Sequence, residues 1–465
     1  MSEDDGVRID IDGLVSSMER MVPHDVLMPP NCSIFKIPII LSRHNENAFI
    51  PDAFSIGPFH HGNQKLKATE KIKARYMHDL ISRSRSRDTI LRTLISSIAE
   101  VEKEAREYYA EPINYSPEKL VEILVIDGCF LIELFCKRTY RDLRKEDDPI
   151  FSRPCMFHFL YHDLILLENQ VPWMVLERLF NQTNDSSDWN MPRPLATLAT
   201  TFMRTIYLTY RIDPKSDQCI NMRGIKHFVD LSYKLSTLPS TDPQPDQCII
   251  IECIKHLVDQ FRKLAALSST PFRKLANSSS GEEKKKSLRD WELLPSATSL
   301  VEAGIKFKRA TSGSLLDIKF KDGVLEIPPL VVNDLTETII RNLISYEQCC
   351  PNCGFKFASY VVLLDSLINT VKDINILCDH EIIDNCLNPE DAAQLFNKLY
   401  HDTFVAFDYV DLSREVNRFC QRRLPRWRAV LMGKYFNTPW AGFSTLAAII
   451  LLIMTFLQTL YAMKK

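Results

Sequence analysis

Two adjacent histidines, His60 and His61 in the stretch SIGPFHHG, are the residues whose types and spacing point first to chemistry. Imidazole titrates near neutrality and ligates metals, so such a pair could serve acid–base or metal-dependent hydrolysis. A metal would need a further ligand, with His44 and Asp52 as the nearest candidates in the sequence. Adjacent side chains diverge on regular structure, so only a loop folded back on itself could aim both rings at one point. The plainer alternative is a loop whose imidazoles hydrogen-bond backbone after the Gly57-Pro58 turn, and the sequence favours it.

Other polar residues sit inside apolar runs. Asp127 and Glu133 lie in VIDGCFLIELFC, and Glu168, Asn169 and Gln170 interrupt LILLENQVPW. Buried carboxylates and amides must be paired, so these side chains read as structural ties between a helix end and a neighbouring backbone. Glu347-Gln348 in LISYEQCC reads the same way. Cys349, Cys350 and Cys353 form CCPNC, which holds one Cys-x-x-Cys; a structural zinc site uses four ligands, commonly from two such pairs, and no second pair exists. The thirteen cysteines are odd in number and scattered through helical patterns, as expected of reduced thiols facing a cytosol. Gly-x-Ser-x-Gly, His-Glu-x-x-His, a Walker loop and Gly-x-Gly-x-x-Gly are all absent. No catalytic, cofactor-binding or metal-binding residue is therefore assigned, and no cofactor is expected.

The elements that would position these groups are mostly helical. With 45% hydrophobic and 25% charged residues in 465, the chain can build a sizeable core. A formal net charge of −2 gives no drive toward nucleic acid. Residues 1–32 read as an acidic arm with one amphipathic piece, IDGLVSSMERM. Residues 33–182 read as an N-terminal helical lobe. Pro38, Pro51 and Pro58 keep residues 33–62 extended or looped, and helical patterns follow at about 66–110. Ser116 and Pro117 open a strongly apolar helix as N-cap and first helical residue. FLYHDLILLENQVPWMVLERLF reads as a helical pair broken at Pro172.

Residues 183–295 form a variable insert rich in Ser, Thr, Pro and Lys. DQCINMRGIKHFVDLSYKLSTLPST (217–241) returns as DQCIIIECIKHLVDQFRKLAALSST (246–270), with 14 of 25 positions identical. Two copies are too few for a solenoid, so this is a duplicated helix. Residues 296–434 read as a C-terminal lobe. Gly304 ends a helix there. Lys306–Arg309, Leu316–Phe320 and Val324–Ile327 alternate as strands, with Lys321-Asp322-Gly323 as a hairpin turn. Helices resume at 334–349, 356–377, 389–401 and 408–432.

Residues 438–462 carry no charge, and Trp440–Tyr461 is long enough to cross the roughly 30 Å hydrocarbon layer as a helix. Trp440 and Tyr461 stand where aromatic rings favour the interface. Arg422, Arg423, Arg426, Arg428 and Lys434 precede the span, which places the bulk of the chain in the cytosol by the positive-inside bias. They could also meet an anionic leaflet. The acidic start MSEDDGVRIDIDG is no signal peptide, so insertion as a tail-anchored protein is expected. Asn31, Asn114, Asn181, Asn184 and Asn277 head glycosylation triplets that would be usable only in the reverse orientation. The expected fold is mainly α: a large helical body, a small antiparallel β element near 305–332 and one C-terminal transmembrane helix.

Several stretches together resemble one family: IFKIP…NENAFIPDAFSIGPFHHG, VIDGCFLIELF, HDLILLENQVPWMVLERLF, LEIPPLVVNDLTETIIRNLISYEQC and YFNTPWAGFSTLAAIILLIMTFLQT. They run in order from about residue 33 to the C-terminus and resemble the plant domain of unknown function 247, also called uncharacterised protein family 0481. Pro295 and Ser299 depart from that family's usual Arg and Glu. The resemblance implies a land-plant protein with a C-terminal transmembrane helix and no established catalytic residues to carry over. Some grass relatives are linked to pollen–stigma self-recognition, so the resemblance leans toward binding of an unknown protein partner. The expected function is a membrane-anchored interaction or recognition module, at the plasma membrane rather than an endomembrane. The rival is an undescribed hydrolase or metal enzyme using the His60/His61 loop.

Overall fold

The computed structural model describes residues 10–21, 29–83, 87–185, 193–203, 224–237, 292–311, 314–351, 353–421, 447–448, 450–456 and 458–459. The second copy of the duplicated helix (246–270) and the Arg422–Arg428 cluster lie outside these residues; of the first copy, residues 224–237 are described.

The amphipathic piece of the N-terminal arm forms α1 (Ile11–Met21). Residues 29–66 are largely extended and looped, with one short α-helical turn, α2 (Ile39–Ser42), and 3-10 turns at Glu46–Phe49 and Gln64–Leu66. The region expected to be helical from 66 to 110 divides into α3 (Lys67–Ile81), α4 (Arg87–Ala99) and α5 (Glu102–Arg106). The following helix, α6 (Pro117–Thr139), is the axis of the first core. Ser116 Oγ accepts the Lys119 N–H at 3.3 Å, and Pro117 takes the first turn, where its missing donor costs nothing. Leu120, Leu124, Phe130, Leu134 and Phe135 of α6 are fully buried. They pack against α3, α4, α8 (Trp173–Asp185) and α9 (Leu195–Met203), with α7 (Pro154–Ile165) preceding α8.

Helix α10 (Phe228–Thr237) contributes Phe228, Leu231 and Leu235 to this first core and Val229 and Tyr233 to a second. The second core gathers α11 (Ala297–Glu302), α12 (Thr336–Cys349), α13 (Lys356–Leu367), α14 (Val371–Asp379), α15 (Pro389–Phe396) and α16 (Val410–Cys420). N-terminal residues Phe35, Ile37, Leu41 and Phe49 also belong to it, so the looped segment 33–62 bridges the two cores.

The β structure is mixed rather than antiparallel. β2 (Lys319–Lys321) and β3 (Val324–Ile327) form the expected hairpin, with Phe320 opposite Leu325. Asp322 and Gly323 close it at φ 51° and 77°, as a two-residue turn matched to strand twist requires. β1 (Lys306–Arg309) lies on the other side of β3 and runs parallel to it, because β2, which follows β1 in the chain, lies antiparallel on the far edge of β3 and the hairpin reverses direction once more. Strand β2 starts later than Leu316 because a turn precedes it, with Asp317 N–H donating to Ser314 O at 3.0 Å. A second, two-stranded sheet pairs β4 (Leu330–Val332) in parallel with β5 (Ile383–Asn385).

The helix expected over 356–377 breaks into α13 and α14. The Thr370 side chain and the Asp373 carboxylate exchange bonds with each other's backbone as a capping box, which starts a new helix. Likewise the helix expected over 389–401 ends at Phe396. Among the described residues no helix is long and apolar enough to cross a membrane. The expected span falls partly on undescribed residues; those described between 447 and 459 are helical and exposed.

Candidate functional site

The polar residues singled out in the sequence converge on one feature, the loop of residues 50–62. Three side chains from helices α6 and α7 and the turn after α7 hold its backbone, and a fourth, Gln170, ties that turn to α10. Asp163, on the last turn of α7, is fully buried and accepts the N–H groups of Asp52, Ala53 and Phe54 at 2.7, 2.8 and 2.6 Å. Asn169 accepts the Ile56 N–H at 2.7 Å and donates to Phe54 O at 2.9 Å. Asp127 accepts the Gly57 N–H at 2.8 Å. Gln170 donates to Leu164 O and Leu166 O at 2.8 Å each, while its side-chain oxygen accepts the Val229 N–H at 3.3 Å.

These bonds explain why α7 stops at Ile165, well before Pro172. Once Asn169 and Gln170 turn inward to satisfy carbonyls at 163–166, the chain around them cannot remain helical. They also explain Gly57, whose φ is +77°. A Cβ there would stand 2.2 Å from the carbonyl oxygen of Gln170, so both conformation and space call for glycine.

Beneath the loop lies a buried charge. The Lys73 ammonium is completely enclosed and reaches Asp127 at 2.6 Å, Ser55 O at 2.7 Å and Glu70 at 2.8 Å. Burial opposes its charge, yet Asp127 and Glu70 outweigh that and raise its pKa. Further along α6, Glu133 pairs with Arg83, and Lys137 bridges Asp79 and Asp148 at 2.8 Å each. Tyr76 donates to Asp148 at 2.6 Å and lays its ring 4.0 Å from the Lys137 ammonium. The expectation that Asp127 and Glu133 require partners thus holds. Nothing in the sequence marks Lys73 as the partner of Asp127, and Arg83 opens RSRSRD (83–88), a short charge run that reads as solvated, whereas the structure pairs it with buried Glu133.

The histidines themselves are partly covered. His60 Nε2 lies 3.4 Å from Glu168 Oε2, while Glu168 Oε1 accepts the Ile37 N–H at 2.6 Å. His61 turns away to stand edge-on to Tyr115, whose hydroxyl donates to His61 O at 3.0 Å. Burial lowers the pKa of His61 and keeps its imidazole neutral. His60 Nε2 and His61 Nδ1 are both enclosed without a hydrogen-bond partner.

Neither suggested third ligand joins them. His44 binds Asp402 at 2.6 Å beside Arg43. Asp52 lies 3.6 Å from His162. Asp52, His162 and Asp163 are the one group of three potential ligands gathered closely enough for a metal among the described residues. Both oxygens of Asp163 already accept backbone N–H groups, and Oδ1 also meets His162 Nδ1 at 3.0 Å, so this set is filled as a backbone clamp. A separate open cavity of about 380 Å³ lies among Ser314, Asp317, Lys319, Lys356, Asp408 and Tyr409, on the other core. The other polar pair, Glu347-Gln348, is likewise structural. Glu347 accepts the Phe357 and Ala358 N–H groups at 2.8 and 3.0 Å, and Gln348 exchanges two bonds with the Phe404 backbone.

Comparison with known proteins places this arrangement. Residues 34–454 match DUF247, described as a plant protein of unknown function, and the chain belongs to that family. A UPF0481 protein of Arabidopsis thaliana is 26% identical over 445 residues, 93% of this chain and 86% of the relative. A putative UPF0481 protein of the same plant is 22% identical over 481 aligned residues, 92% and 89% of the two chains. No solved structure matches.

Proposed function

We propose that this DUF247 chain is a membrane-anchored helical recognition module, held to the bilayer by Trp440–Tyr461 and presenting its two-core body to a protein partner in the cytosol. The observation that carries the reading is the helical run within 447–459. Ile450, Leu451, Leu452, Ile453, Met454 and Phe456 are each 53–71% exposed, and consecutive residues occupy every face of a helix. Among the described residues nothing covers them. At roughly 25 cal/mol per Å² of apolar surface, such a run is strongly unfavourable in water and favourable in lipid. Thr455 and Thr459 return their hydroxyls to the carbonyls of Leu451 and Thr455, at 2.7 and 2.8 Å, which suits an apolar surrounding.

The body supports recognition over catalysis because its conspicuous polar groups are committed to backbone. Asp163, Asn169 and Asp127 shape the 50–62 loop, and Gln170 bonds the carbonyls of Leu164 and Leu166. One observation favours the rival hydrolase or metal reading: the unpartnered His60 Nε2 beside Glu168. The test is fractionation of plant membranes carrying the full chain. The protein should resist a carbonate wash, enter detergent, and move to the soluble fraction when residues 440–461 are deleted. Recovery of the intact chain without detergent would overturn the anchoring. Cross-linking in intact membranes followed by mass spectrometry should then identify a partner that His60→Ala retains; an associated hydrolytic activity lost with His60→Ala would favour the rival.

A further inference from the structure

The turn after α12 has a chemistry that the loop clamp does not use. We infer that Cys350 and Cys353 form a redox-active dithiol, which closes to an intramolecular disulfide by exchange with a low-molecular-weight disulfide of the glutathione class.

The local sequence is Cys350-Pro351-Asn352-Cys353. Cys350 terminates α12, its N–H donating to Tyr346 O at 2.9 Å. The Cys353 N–H then donates to Cys350 O at 3.3 Å, drawing the two cysteines together. The two side chains already interact directly. The Lys226 ammonium stands 3.9 Å from Cys350 Sγ, so a cation favours ionisation of the thiol that resolves the mixed disulfide. Cys350 is only 4% exposed, whereas Cys353 is half-buried and open to a small reagent.

Access and charge set the order of events. The Cys353 sulfur forms a bond to one sulfur of the external disulfide, and the first small thiol leaves with the Cys353 proton. The Cys350 sulfur then displaces the second small thiol, which leaves with the Cys350 proton. One small-molecule disulfide is reduced to two thiols as the protein dithiol becomes one disulfide. The turn is also tied to the insert: Tyr233 donates to Cys353 O at 2.6 Å, and the Lys226 ammonium faces Cys350. The redox state of the pair therefore bears on how α10 seats between the cores. Cys32 and Cys349 lie in the same cluster and are the competing partners.

The test equilibrates the full chain in detergent with reduced and oxidised glutathione at set ratios, quenches with an alkylating reagent and maps peptides by mass spectrometry. The expected result is a peptide carrying Cys350 and Cys353 that is lighter by two hydrogens under oxidising ratios and is restored by dithiothreitol. In Cys350→Ser, a glutathione adduct should accumulate on Cys353. Full alkylation of both residues at every ratio, while exposed Cys155 takes up glutathione, would overturn the inference. So would a disulfide joining either residue to Cys32 or Cys349. The wild-type map is decisive even if the variant fails to fold.

Discussion

The Glu347 carboxylate accepts the Phe357 N–H at 2.8 Å, closing the N-terminus of α13 from inside the second core. Burial pushes this carboxyl up to about 7, although the N–H groups of Phe357 and Ala358 pull the other way. The folded pKa lies above the ordinary glutamate value of 4.5, so Glu347 stabilises the fold most below pH 4.5 and loses that contribution as pH rises through 7. The difference is about 3 kcal/mol. Glu347→Gln keeps an acceptor without a proton to lose. Thermal unfolding between pH 5 and 8 should show the wild-type advantage over this variant shrinking as pH rises; a constant gap would refute the titration.

His227 should act with the opposite sign. Its Nε2 meets Ser33 O at 3.0 Å and its Nδ1 accepts the Asp230 N–H at 3.3 Å, which fixes the neutral tautomer with the proton on Nε2. A second proton would point Nδ1–H at a donor. Burial lowers the pKa to about 4, against the pull of Asp230 and with the help of Lys226 and Lys234. The stability it contributes is complete above pH 6.5 and is lost as pH falls toward 4. His227→Gln should therefore cost most at pH 7.5 and least near pH 4.5, measured as the difference in denaturant midpoint. A cost independent of pH would show that the ring is not excluded from charge.

Two glycines of similar φ separate strain from space. Gly57 and Gly224 stand at φ 77° and 72°, but an added Cβ would meet Gln170 O at 2.2 Å in the first case and nothing within 4 Å in the second. Gly224→Ala should cost about 1 kcal/mol, the price of a left-handed alanine. Gly57→Ala should cost at least about 3 kcal/mol, because the loop must also leave Asp127 or Gln170. Equal midpoints for the two variants in chemical unfolding would contradict the packing at Gly57.

Local signals were legible where the residue itself makes the structure. Ser116-Pro117 announced α6, and Asp322-Gly323 announced the hairpin. The strand partnered in parallel was not legible, because β1 and β3 alternate alike whichever way they run and only the pairing across the sheet decides. Pro172 drew the break between α7 and α8 too late, since the helix is ended by Asn169 and Gln170 bonding carbonyls upstream. The inward-facing polar groups were legible as acids and amides in apolar runs. Their lysine partners were not: lysines are almost always exposed, and nothing in KIKARYM marks Lys73 as enclosed.

The Lys73–Asp127 pair offers the sharpest check on the loop clamp. Both side chains are enclosed; removing Lys73 strands the Asp127 carboxylate without a cation, and removing Asp127 leaves the ammonium only Glu70 and Ser55 O. Lys73→Met and Asp127→Asn should each cost about 3–5 kcal/mol in chemical unfolding of the full chain in detergent. In the double variant no charge is stranded, and the introduced amide can still accept the Gly57 N–H. Its cost should fall short of the sum of the single costs by about 2 kcal/mol or more. Strict additivity would mean that the two residues stabilise the loop independently, with Ser55 O and Glu70 holding the ammonium and Gly57 alone holding the carboxylate.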